Sequence, residues 1–200
     1  MHQVIGMNQK TTGIKERSGE RRLPALGGAF LVGALAGSLC CTRLQGLQTA
    51  MLERGQAGLT LWQVLWPELT LLLVMLLSGF LRAGCLTALL TMAVKGFFLS
   101  AGSTAQVLAL GNLGYGAALA QVLLPGFFAV AALILLGRQA MGWAVERLRF
   151  PPGRGKQIRP DSAYFVTAAI CAVLMVLSAL IAVRLAPSLW GAVQSFLPTT

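Results

Sequence analysis

Charge is what this chain has least of. Only 11% of its 200 residues are Asp, Glu, Lys or Arg and 56% are hydrophobic, whereas soluble domains carry about 25% charge. That balance does not describe a soluble domain. Acidic side chains are the scarcest, six against 16 basic ones. They are Glu16, Glu20, Glu53, Glu68, Glu146 and Asp161, set singly at the edges of apolar stretches, so no pair is available for acid–base work. Histidine occurs once, as His2, and the four cysteines Cys40, Cys41, Cys85 and Cys171 lack the C-x-x-C spacing of a zinc or redox site. Gly153-Arg154-Gly155-Lys156 holds a Gly-x-Gly-Lys but neither the full phosphate-loop pattern nor a preceding strand. These gaps argue against a catalytic centre, a resident metal and a cofactor. The expectation is a protein that is not an enzyme, whose cysteines fill small core positions without forming disulfides.

What is abundant is long apolar sequence. Five stretches stand out: Ala25 to Cys41, Trp66 to Leu81 running on toward Val94, Gly96 to Leu110, Ala117 to Gly137, and Ala163 to Val183. A helix needs about 20 apolar residues to cross a hydrocarbon core of about 30 Å. The fold class expected is therefore all-α, a polytopic membrane bundle of about five transmembrane helices. The first stretch is longer than a cleavable signal core, and Leu39-Cys40-Cys41 is a poor cleavage site, so it reads as a retained signal-anchor.

Basic residues sort to alternate sides of these stretches. With the amino terminus inside, Lys10, Lys15, Arg17, Arg21, Arg22, Arg138, Arg147, Arg149, Arg154, Lys156 and Arg159 are cytoplasmic. Lys95, in the short link between the second and third spans, also falls inside. Arg43, Arg54 and Arg184 fall outside, Arg82 is ambiguous, and the bias predicts an N-in, C-out topology. The organisation expected is a basic cytoplasmic tail over residues 1–22 and a single membrane domain over 23–200, with an external loop at 42–65 and a cytoplasmic basic loop at 138–161. The net charge of +10 thus lies beside the membrane, which points to anionic lipid headgroups rather than nucleic acid.

The external loop is too small for a catalytic domain and suits a connecting or partner-binding role, with Trp62 and Trp66 at its headgroup boundary. In the cytoplasmic loop, Trp143, Leu148 and Phe150 beside Glu146, Arg147 and Arg149 suggest an interfacial helix or a docking surface, ended by Pro151-Pro152-Gly153.

Interruptions of the apolar pattern mark the candidate positions. Arg82 at mid-membrane would cost about 2.5–3.5 kcal/mol. It marks a span boundary or broken helix, an interior structural contact, or a polar pathway. Pairing with Glu68 within one straight helix is weakened by a separation of about 21 Å. Gly33 and Gly37 form a G-x-x-x-G pair that permits close helix approach. Gly111, Asn112, Gly114 and Gly116 read as an external turn. Pro125 with Gly126 would kink the fourth span and free carbonyls that only neighbouring protein can satisfy, placing Pro125 toward the bundle interior.

Taken in order, Lys95-Gly96-Phe97-Phe98 opening the third span, the glycines from Gly111 to Gly116, and Leu123-Leu124-Pro125 followed by Phe127 to Gly137 and Gly142 resemble the stage II sporulation protein M family. The resemblance covers most of the chain after Leu23. It implies five spans and a non-hydrolytic scaffold that anchors peptidoglycan-degrading partners at the septal membrane during forespore engulfment. The wider family often has polar residues just after the proline, where this chain has Gly126, Phe127 and Phe128, so no role of those groups carries over; Arg82 has no counterpart. The alternative reading is a substrate-capturing transporter subunit working with a separate ATPase. Its binding candidates are Thr87, Thr91, Ser100, Ser103, Thr104, Gln106 and Gln121.

Overall fold

The computed structural model describes residues 22–56, 60–81, 83–149 and 161–195. The basic tail, Arg82 and the Pro151-Pro152-Gly153 segment lie outside the described residues. Among these residues every regular element is helical: α1 (Arg22–Arg43), α2 (Gln45–Gln56), α3 (Leu61–Ser78), α4 (Gly84–Leu110), α5 (Asn112–Ala118), a π-helical turn (Leu119–Leu123), α6 (Leu124–Arg149) and α7 (Ser162–Ser195). Five helices are long and apolar enough to cross a membrane, namely α1, α3, α4, α6 and α7. The chain is an all-α polytopic membrane protein.

The spans expected from the sequence are found, but one boundary moves. The second span does not run on toward Val94, and no link separates it from a third span at Gly96. The chain turns instead between Ser78 and Gly84. The backbone N–H groups of Gly79, Phe80 and Leu81 bond back three residues to Leu76, Leu77 and Ser78, at 3.3, 2.9 and 3.2 Å. Ser78 Oγ donates to Met75 O at 2.6 Å. A Cβ on Gly84 would overlap the Ser78 carbonyl, so glycine is needed where the two helices leave the turn this closely. From Gly84 onward α4 runs unbroken for 27 residues, about 40 Å. Lys95 and Gly96 therefore sit near its middle.

Around this turn, here called the junction end, the bundle closes. Tyr164 on α7 donates its hydroxyl to Leu76 O at 2.7 Å. Arg147 on α6 donates to Phe80 O at 2.6 Å and stacks over the Phe80 ring at 5.4 Å. These side-chain donors add bonds to carbonyls at the end of α3, where helical N–H partners run out. Residues 138–149 are not an interfacial helix on the lipid surface, as the sequence suggested, but the last turns of α6. Ala140, Met141 and Ala144 are buried, and the small Ala144 faces Gly84 at the turn. That side is held in the bundle by apolar contact, and Trp143 packs against the core as well.

At the opposite, far end, α2 packs on the outer half of α4. Leu47, Met51 and Leu52 close over Cys41, Ala101 and Ala105, with Phe97 alongside, while Gln45, Thr49 and Glu53 stay exposed. The expected glycine turn is narrower than its composition suggested. Of its residues only Gly111 has a positive φ, +57°; Asn112, Gly114 and Gly116 are helical in α5. Gly114 lies against the Gln106 carbonyl where a Cβ would collide. That contact, and not loop formation, accounts for the second glycine.

Pro125 is buried, as its sequence context implied. The π-helical turn before it absorbs the step that proline forces on the helix, with Leu124 N–H bonding back five residues to Leu119 O. Ser178 Oγ on α7 donates to Pro125 O at 2.7 Å.

Candidate functional site

Three of the singled-out positions converge on one helix pair. α1 and α4 cross with Gly33 against the Ala93 backbone and Gly37 against Phe97, while Gly96 faces Phe30 and Ala34 from the other side. A Cβ at any of the three would overlap a carbonyl oxygen of the facing helix. Gly33 meets Ala93 and, four residues on, Gly37 meets Phe97, so the two helices run parallel. This is the close approach that small residues allow when lipid offers no hydrophobic drive to association. Glycine costs about 0.5–1 kcal/mol in a helix interior, and the backbone contact is what offsets it here.

One residue before Gly96, Lys95 points the other way, to α3, where its Nζ bonds Glu68 Oε1. The side chains are 8% and 17% exposed. Lys95 is therefore not in a cytoplasmic link. Its charge enters the bundle because Glu68 neutralises it, the arrangement expected of ionisable groups within a membrane. The two lie at matching heights. Lys95 is eleven residues past Gly84 and Glu68 ten residues before Ser78, both about 15–16 Å from the junction end. Thr91, buried one turn nearer the junction, bonds Thr87 O at 2.8 Å. Pro67 is inside α3 and immediately precedes Glu68; lacking an N–H, it cannot supply the helical bond to Gln63 O.

Within the pair the hydrogen-bond capacity is incompletely used. Glu68 Oε2 is buried and has no protein donor. An ammonium has three N–H groups, and Lys95 Nζ directs one of them to Glu68 Oε1. The site can thus hold a charge pair within the membrane and still accept one donor on carboxylate oxygen.

The remaining candidates are placed as follows. Gly33, Gly37, Gly96 and Lys95 are brought together; Pro125 belongs to the α6–α7 contact through Ser178. Arg82 lies outside the described residues. Of the polar set considered for transport, Thr91 and Gln106 are buried on α4, while Thr87, Ser100, Ser103 and Thr104 are half-buried. Gln121 lies in the π-helical turn. Glu68 is the site residue that sequence reasoning did not assign, since it was weighed only as a partner of Arg82. A signal was available: a carboxylate just inside an apolar run, following Pro67, with a lysine of opposite sign in the next run.

Compared with known protein families, curated proteins and solved structures, the chain matches none of them.

Proposed function

We propose that this chain is a non-enzymatic membrane scaffold, similar to the stage II sporulation M protein, that anchors peptidoglycan-degrading partners at the septal membrane during engulfment. The observation that carries the reading is α2. This short helix presents Gln45, Thr49 and Glu53 to the surface, and Leu47, Met51 and Leu52 hold it on α4. A polar helix fixed to a membrane bundle is a rigid platform for another protein. In this reading the junction end, with Arg22, Arg138 and Arg147, faces a bacterial cytoplasm, and α2 faces outward where wall hydrolases act.

Affinity capture of the detergent-solubilised chain from sporulating cells of its source tests the scaffold directly. Recovery of wall hydrolases with the natural chain, and their loss on Glu53→Lys with Thr49→Lys, is the expected result. Recovery of an ATPase with a second permease subunit would replace the scaffold by the transporter-subunit reading. The Glu68–Lys95 pair favours that second reading, because intramembrane charges commonly mark solute or ion paths. A rise in thermal stability with one added solute would be its signature.

A further inference from the structure

We infer that the Glu68–Lys95 pair is a water-binding site within the membrane. The inference goes beyond the scaffold reading and does not depend on it.

The first ground is the carboxylate itself. Oε1 is taken by Lys95, while Oε2 is buried with no protein group donating to it. A buried ionised oxygen is strongly disfavoured without a donor. The ligand that completes the site must donate to a carboxylate and accept from an ammonium. Water does both with one atom, adds no charge to a pair that is already neutral, and is small enough for a packed interior.

The second ground is position. Glu68 is seven residues from the start of α3 at Leu61, about 10 Å along the axis. Trp62 and Trp66 are exposed at that end, with rings 5.4 Å apart, as suits a headgroup boundary, so the carboxylate lies about two helical turns from the interface.

Two measurements decide it. In the first, crystals of the natural chain grown from a lipid phase and diffracting well enough to show ordered water are expected to carry density within about 3.2 Å of Glu68 Oε2 and within reach of Lys95 Nζ. In the second, the natural chain is moved from H2O to D2O and the Glu68 carboxylate infrared band, assigned by difference with Glu68→Gln, is expected to shift because its donor exchanges. The inference stands if both results are obtained. Absence of such density in a map that shows other ordered water, or a Glu68 band indifferent to D2O, overturns it.

Discussion

At the scale of single residues, the Glu68–Lys95 pair places two opposite charges in the bundle interior. Removing one partner leaves the other charged and buried, a loss of about 3–5 kcal/mol, whereas replacing both by apolar residues of similar volume is close to neutral. Glu68→Ala and Lys95→Ala are therefore each expected to lower the unfolding midpoint sharply in detergent or bilayer, and Glu68→Leu with Lys95→Met to restore most of it. Ser178 makes a smaller case of the same kind. Ser178→Ala removes a side-chain donor to Pro125 O while the carbonyl keeps its place in the helical ladder of α6, and about 0.5–1.5 kcal/mol is the expected loss. The pair was only half legible in the sequence. Lysine followed by glycine has the look of a span end, because an isolated charge and a helix breaker coincide. What reverses that reading is a carboxylate 27 residues earlier on another helix, and periodicity within one helix carries no information about such a contact.

Among elements, the parallel crossing of α1 and α4 sets the frame on which α2 and α3 are hung. Gly33→Val and Gly96→Val each force side-chain atoms into a facing carbonyl; overpacking of this kind costs about 1–3 kcal/mol, and occasionally more. A loss of that size in thermal or denaturant unfolding is expected for both. Gly27→Ala, on the same helix with open space around it, is expected to leave stability unchanged or slightly raised. Gly33 and Gly37 were readable as a packing motif from spacing alone, while their partner was not. Gly96 was read as a helix start for the same reason that Lys95 was misplaced. The first and fifth spans were legible because nothing charged interrupts them. The second and third were not divided correctly, since Arg82 and Lys95 offer two break points, and the choice rests on the Ser78–Gly84 close approach. The continuation of α6 past Arg138 was hidden by its charges: Arg138 and Glu146 are exposed, yet Ala140, Met141 and Ala144 between them are core.

For the molecule as a whole, the proposed orientation has a direct consequence in sealed vesicles. A membrane-impermeant maleimide added outside right-side-out vesicles is expected to label Leu44→Cys, at the far end, and to spare Phe80→Cys at the junction; inverted vesicles should reverse the pattern. The architecture rests more deeply on α3 and α4 leaving one turn in opposite directions and meeting again at equal height. Exchanging the two charges probes that arrangement, because Glu68 and Lys95 touch only if both helices run as described. The decisive measurement is a double-mutant cycle on unfolding stability with Glu68→Lys, Lys95→Glu and the two combined. Each single variant should be strongly destabilised and the exchange should recover most of that loss. An exchanged chain as unstable as the two single losses added together would contradict the pair, and with it the continuous helix from Gly84 to Leu110.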